Sequence, residues 1–514
     1  MLPVLLPEES AAWDRRAEAD GIALATLMEC AGRAAATVVA ARYQAELAHG
    51  IVVAAGTGNN GGDGWVLARA LARTGVRVWV ASLPGERSPL TASAAAHALS
   101  DGVRELASDG PWPPPGLVVD AILGTGAKGA PRPPATALLA RIHDLGAPVV
   151  AIDGPTGVDL GTGVSHVPSR ADLTITFGGL RRGHLMARDE MGTVVVVDIG
   201  HPPSDPRWPR LATARDAAAW QPELRANAHK GTRGRVVVVG GDVGMSGAIR
   251  LAGRAAFIAG AGLVHAVAPQ ATVDALILAE PDLQTLAHDL AGKPDERLAG
   301  LLDRADVVVI GPGLGRTAGR REFVLEVLRH ARRAVVDADA LTVFQGQSAQ
   351  LAAAARHTVL VLTPHLGEFR TLFPEHAAAL ETDPWAAAMG AAAAIGATVL
   401  LKGVPTVIAR PGAAPITTAA GNPGLATGGS GDLLGGFIGT LLAQGLEPHL
   451  AATSGALILG TAAERAAAQS TARSMRPMDV LQQVPALWQD WATVLRTPAF
   501  HPPVLLELPP PQTL

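Results

Sequence analysis

Residues 421–436 read GNPGLATGGSGDLLGG and run on into FIGTLLAQG. The glycines and Ser430 open an apolar helix, so consecutive backbone N–H groups and the helix dipole form a hole for an anion. Asp432 lies just inside that helix, where a carboxylate can accept the proton of a hydroxyl attacking a phosphoryl group held in the hole. An N-cap role would explain Asp432 but not the GGSG before it. Working outward, Lys402-Gly403 ends an apolar run at 398–401 and leads into VPTVI. Further β-branched runs lie at 235–239, 263–268, 306–310, 334–337 and 358–362, with GPGLG at 311–315 and TPHLGE at 363–368 following two of them. Strands alternating with longer amphipathic stretches give a mostly parallel sheet covered on both faces. His365 reads either as a substrate contact or as a satisfied structural histidine. No GxxxxGK[ST] occurs, which disfavours a Walker-type ATPase.

The first two hundred residues repeat the pattern on their own. Runs at 51–55, 76–81, 117–121, 148–152, 173–177 and 193–198 read as buried strands. GTGNNGGDG at 56–64 lies between a strand and a helix, and its glycines admit a pyrophosphate without a Cβ clash. Asn59, Asn60 and Asp63 inside that loop can orient a ribose or supply oxygens to a hard cation, which a plain turn does not require. GTGAKGA at 124–130 follows the strand ending near Asp120 and carries one of only four lysines among 42 basic residues. DGPTGV at 153–158 ends another strand, so all three loops should converge beyond the carboxyl ends of the sheet. Asp153 is then a candidate acid/base, with a turn cap as the bland alternative.

The segment 200–210 holds four prolines and reads as a linker. The expected organisation is a domain over 1–205, a second over 215–495, and an irregular proline-rich tail at 497–514. Both are expected to be three-layer α/β/α domains. Net charge is −4 with no basic stripe, so no nucleic-acid partner is expected. The single cysteine, Cys30, rules out an intrachain disulfide. No leader-like N-terminus and no unbroken apolar stretch of about 20 residues is seen, so no membrane association and a cytoplasmic location are expected.

Taken together these motifs resemble the bifunctional NAD(P)H-hydrate epimerase/ADP-dependent NAD(P)H-hydrate dehydratase family. The resemblance also covers PEESAAWDRRAEADGIALATLMECAGRAA, VVDAILGTGAKG, HKGTRGRVVVVGG, GAGLVHAV and VVDADAL. It implies a Rossmann-like epimerase domain followed by a ribokinase-like dehydratase domain. It implies that Asn60, Asp120 and Thr156 hold K+. Asn59, Asn60, Gly61, Gly62, Asp63, Gly124, Thr125, Gly126, Ala127, Lys128, Gly129, Ala130 and Asp153 would contact the hydrated dinucleotide in the epimerase half. Ala261, Gly313, His365 and Asp432 would do so in the dehydratase half. Lys402, Gly403, Val404, Pro405, Thr406, Asn422, Gly428, Gly429, Ser430 and Gly431 would hold ADP, accompanied by Mg2+. Asp432 and Asp153 would be catalytic, and the implied partners are small molecules and further copies of the chain. Two departures stand out: Gly154 and Thr156 occupy a DxPSG motif where an aliphatic residue and a serine are usual, and Gly154 is expected to loosen the loop. The readings that compete are a kinase of a vitamin-like alcohol with a regulatory first domain, and a non-catalytic binding module.

Overall fold

The computed structural model describes residues 1–107, 110–496 and 503–512. The chain divides at Pro209 into two compact units, and the C-terminal segment through Pro511 returns to the first of them.

In the N-terminal unit one sheet runs, edge to edge, Val504–Leu508, Thr193–Val197, Leu173–Phe177, Val149–Ile152, Leu117–Ala121, Ile51–Ala55, Val78–Ser82 and Arg104–Leu106. Every neighbouring pair is parallel except the first. Residues of Ile51–Ala55 are 0% exposed, as expected of a parallel strand covered on both faces, which leaves no polar alternation to read. Strand order reverses between Ile51–Ala55 and Leu117–Ala121, and the glycine loop opening helix Asn59–Ala72 stands at that point. A Cβ at Gly56 would lie 2.0 Å from the Ile122 carbonyl oxygen, and one at Gly61 would lie 2.0 Å from that of Gly56. Only glycine fits either place.

Helix Leu24–Arg42 is long and apolar enough to cross a membrane by length and composition. Here Leu27, Met28, Ala31, Ala35 and Val39 instead sit in the core of this unit. Of the terminal segment 497–514, expected to be irregular, 497–502 and 513–514 lie outside the described residues, and the described part corrects the expectation: Val504–Leu508 pairs antiparallel with Thr193–Val197. That strand would otherwise expose a row of unpaired backbone groups, and a short apolar run between prolines covers it.

The C-terminal unit's sheet runs Gln284–Ala287, Leu263–Ala268, Arg235–Val239, Val307–Ile310, Arg333–Val336, Val359–Leu362, Thr398–Leu401, Thr406–Ala409, Ile416–Thr418 and Arg210–Leu211. It is parallel through Thr398–Leu401, and the next two pairings are antiparallel. Arg210–Leu211, at the end of the proline-rich segment, pairs parallel with Ile416–Thr418. Helix Ser430–Ala443 lies across the sheet. A Cβ at Gly439 would fall 2.5 Å from Val309, and one at Gly436 would fall 2.3 Å from the Ala252 carbonyl oxygen of the neighbouring helix Ser246–Ile258. Small residues thus replace aromatics in building this core by close backbone approach.

Candidate active sites

The three N-terminal loops converge. A cavity of about 490 Å3 is lined by Thr57, Gly58, Asn59, Asn60 and Asp63 from the first loop, Gly124 to Ala127 from the second, and Asp153 from the third. Gly61 and Gly62 shape the turn from behind, against Gly56 and Met28 respectively. Lys128, Gly129 and Ala130 are exposed and stand outside this lining.

Asp153 sits at the end of Val149–Ile152 with φ of 65°, a left-handed backbone that a non-glycine residue adopts only when held there. Its holders are visible. Oδ2 accepts from the Thr125 backbone N–H at 2.7 Å and from the Thr125 hydroxyl, and Oδ1 accepts from the Thr176 hydroxyl at 3.1 Å. The Arg181 guanidinium lies 3.3 Å from Oδ1. His184 Nε2 donates to the Asp153 carbonyl oxygen at 2.6 Å, while its Nδ1 accepts from the Arg181 N–H at 2.9 Å, which defines a neutral tautomer. Burial pulls the His184 pKa down to about 4, so it stays neutral. Burial alone would raise Asp153, but Arg181 and the Thr125 donors outweigh it and hold the carboxyl below its ordinary range. Asp63 is the opposite case: burial, then the nearby Asp153 and Asp14 charges, pushes it well above that range. Two carboxyls whose pKa values are pushed in opposite directions therefore face one cavity.

Asp120 is 1% exposed; Oδ1 accepts from the Thr156 hydroxyl at 2.7 Å and the Ile122 N–H at 3.1 Å, and Oδ2 from the Thr156 N–H at 2.8 Å. The Asn60 carboxamide sits against Gly124, where a Cβ would meet its Oδ1 at 2.9 Å, and its buried Nδ2 has no partner among the described residues. At Gly154 a Cβ would meet the Leu160 side chain at 2.7 Å, so Leu160 fills the space a side chain would take. The missing side chain is replaced by packing from across the turn.

In the C-terminal unit the carboxyl ends of the strands carry a second constellation. Gly429, with φ of 104°, turns the chain into helix Ser430–Ala443, and Asp432 lies in the first turn. Lys402 donates to Asp337 Oδ1 at 2.8 Å and stands 4.0 Å from Glu368. A Cβ on Gly431 would lie 3.2 Å from Asp337 Oδ2 and 3.5 Å from Lys402 Nζ, so the glycine lets the helix start against this pair. Burial, followed by repulsion from Asp337, lifts Asp432 to about 7 despite Lys402. Gly403 and Val404 are exposed beside Lys402, ahead of Pro405 and Thr406, and Gly428 is exposed on the helix side. Asn422 accepts from the Gly424 N–H at 2.9 Å, and its buried Nδ2 has no partner among the described residues.

His365 caps helix Leu366–Leu372, its Nδ1 accepting from the Gly367 N–H at 2.9 Å. It is exposed and its strand-like backbone bridges to Lys402, so the capping role is established and the position also borders the site. Gly313, with φ of 57°, packs where a Cβ would meet Met245 and Ala248 at 2.9 and 3.2 Å.

Ala261 is a correction. It is 5% exposed, lies in the core, and precedes Leu263, which pairs with Arg235 at the opening ends of the parallel strands. The site is at the opposite ends, so the alanine beside Gly313 is Ala248. Sequence reasoning also passed over Arg181, His184, Asp14, Asp337 and Glu368. Arg181 had a signal, as it follows the strand Leu173–Phe177 on the same edge as Asp153.

Each unit thus carries a candidate site of an α/β enzyme, one a glycine-loop cavity faced by Asp63 and Asp153, the other a glycine-opened helix terminus with Asp432 in its first turn. The family profile described as NAD(P)H-hydrate dehydratase matches residues 236–486, and that of the YjeF-related protein N-terminus matches residues 24–183. The bifunctional NAD(P)H-hydrate repair enzyme Nnr of Salinibacter ruber is 38% identical over 527 residues, covering 94% of this chain and 95% of that one. The enzyme of the same name from Escherichia coli K12 is 37% identical over 471 residues, covering 90% and 88%. A crystal structure of the ADP/ATP-dependent NAD(P)H-hydrate dehydratase of Bacillus subtilis, co-crystallised with ATP/Mg2+, is 26% identical and covers 55% of this chain and 98% of that one, with a TM-score of 0.48. The chain belongs to the bifunctional NAD(P)H-hydrate repair enzymes, with an epimerase half followed by a dehydratase half.

Proposed function

We propose that the N-terminal cavity interconverts the R and S epimers of NADHX and NADPHX, and that the C-terminal site dehydrates the S epimer with ADP, releasing AMP and phosphate. The observation that carries this reading is the placement of Asp432 in the first turn of the helix that Gly428–Gly429 opens, beside the Lys402–Asp337 pair. A hydroxide is a poor leaving group, so the C6 hydroxyl is phosphorylated first. Asp432 takes the hydroxyl proton as the oxygen attacks the terminal phosphorus of ADP, and AMP departs. Helix N–H groups at Ser430 and Gly431 and the Lys402 ammonium stabilise charge on the transferring group. The ring nitrogen lone pair then expels phosphate from C6, and loss of a C5 proton restores the C5=C6 double bond. Atoms balance as NAD(P)HX plus ADP giving NAD(P)H, AMP, phosphate and a proton. With a pKa of about 7, Asp432 is poised as a base near neutral pH.

Lys402 to Thr406, Asn422 and Gly428 to Gly431 form the ADP contacts in this reading, and Ala248, Gly313 and His365 border the hydrated ring. Among the described residues no three acidic, His or Cys side chains form a ready-made metal cage. Mg2+ would be held by the phosphates of the nucleotide, with Asp337 and Glu368 as the nearby carboxylates, and would neutralise charge on the transferring group.

In the epimerase cavity, Asp63 donates the proton that lets the C6 oxygen leave as water, ionised Asp153 takes one from the water that adds back, and that proton returns to Asp63 to reset the pair. Asp120, Thr156 and Asn60 supply an oxygen-only donor set with a single charge, which suits K+. The orphaned Asn60 Nδ2 is a donor and fits an acceptor atom of a bound ligand, which leaves Oδ1 for the ion. Incubating the protein with each epimer, with and without ADP, tests both heads separately. Recovery of NADH absorbance from the S epimer without adenine nucleotide would overturn the phosphorylation step.

A further inference from the structure

The dinucleotide has two ends, and the sheet order says where each lies. Asp153 stands two strands from Ile51–Ala55 on one side of the glycine loop, and Val78–Ser82 lies on the other. With the reacting ring at Asp153 and the pyrophosphate at the glycine loop, the adenosine ribose falls over the end of Val78–Ser82. In dinucleotide folds an acidic residue in that region binds a free 2′-hydroxyl, whereas an arginine nearby accommodates a 2′-phosphate. Here the strand ends in neutral Ser82, and Arg87 Nη2 donates to its hydroxyl at 3.1 Å. Glu105, on the adjacent strand opposite Val80, pairs with the same guanidinium, whose carbon also lies 5.1 Å from the Trp65 ring centroid. The guanidinium is thus fixed from two sides yet remains 26% exposed. The loop carrying it is tied to the cavity: Ser88 N–H donates to the Thr57 carbonyl oxygen at 2.9 Å, and the Ser88 hydroxyl to Asn59 Oδ1 at 3.3 Å. The cavity itself reaches Thr57, Asn59 and Leu83, the residue after Ser82.

We infer that Ser82 and Arg87 form a 2′-phosphate subsite, so that the epimerase head of this chain prefers NADPHX to NADHX. Glu105 and Ser82 engage Nη2 and orient the fork, and the remaining guanidinium N–H groups match a phosphate dianion. The inference rests on the dinucleotide reading of the cavity. Nothing in it involves the dehydratase head, so the two heads need not share a preference.

The test uses the full-length protein without adenine nucleotide, which keeps the dehydratase idle, and follows each R epimer toward equilibrium by chromatography. The wild type should show a kcat/KM for NADPHX at least about tenfold above that for NADHX. Arg87→Ala should collapse that ratio through a rise in KM for NADPHX on the order of 10- to 100-fold, the range for hydrogen bonds to a charged group. Arg87→Lys should recover part of it. Ser82→Asp, which places a carboxylate at the strand end, should invert the preference. Equal efficiency on both substrates in the wild type, or loss of the same factor on both in Arg87→Ala, overturns the subsite. No epimerisation of either substrate by a folded wild type instead overturns the underlying reading of the cavity.

Discussion

Replacing Asp432 by Asn should remove activity and add stability, and the stability gain has a defined pH dependence. Burial and the Asp337 charge lift the Asp432 pKa from its ordinary 3.8 to about 7. The folded state therefore holds the proton more tightly than the unfolded chain. As pH rises from 3.8, the unfolded chain gains by ionising and the folded one does not, until both are ionised above about 7. The cost to the wild type thus grows across that window and is flat beyond it. The full difference corresponds to at most about 4 kcal/mol, and solvent screening at a partly exposed carboxylate brings it to roughly 2 kcal/mol. Asn, which does not titrate, escapes this cost. At pH 8 the variant should melt roughly 4 °C above the wild type, and at pH 5.5 the gap should shrink to about half. Thermal unfolding of the full chain at both pH values, read by peptide-resolved hydrogen exchange over helix Ser430–Ala443, measures it. A gap that is absent, negative or independent of pH refutes the claim that this carboxylate is strained toward neutrality.

Removing Lys402 deletes the one cation that lowers Asp432, so in Lys402→Met the acid limb of dehydratase kcat/KM should move above pH 7, visible in any residual rate. His184→Ala leaves the Asp153 carbonyl and the Arg181 N–H without their buried partner; a loss of roughly 2–4 kcal/mol is expected by chemical denaturation, with epimerase falling further than dehydratase. Epimerase rate should fall at high pH as Asp63 ionises, and Asp63→Asn should abolish that basic limb together with most of the rate. Should the Asn variant keep the limb, another group carries the proton.

Much of both sheets could be read directly because their strands are apolar on both faces, as in Ile51–Ala55 and Val307–Ile310. Arg104–Leu106 and Gln284–Ala287 escaped because they are short edge strands with exposed residues, where burial imposes no pattern. The glycine loops and Asp432 were visible since backbone approach and charge placement are local properties. Arg181, His184 and Asp337 were not, because their meaning arises only when separate strand ends meet. Ala261 shows the converse error: a motif in the right domain was placed at the wrong end of the sheet. His365 bears out the structural one of its two readings, capping helix Leu366–Leu372.

The most direct test of the central claim is to give the protein the S epimer of NADHX with ADP and count products. Wild type should release NADH, AMP and phosphate in equal amounts, and Asp432→Asn should slow all three together by on the order of 100-fold or more. An Asn variant that still forms AMP and NADH at the wild-type rate would contradict the assignment of Asp432 as the base.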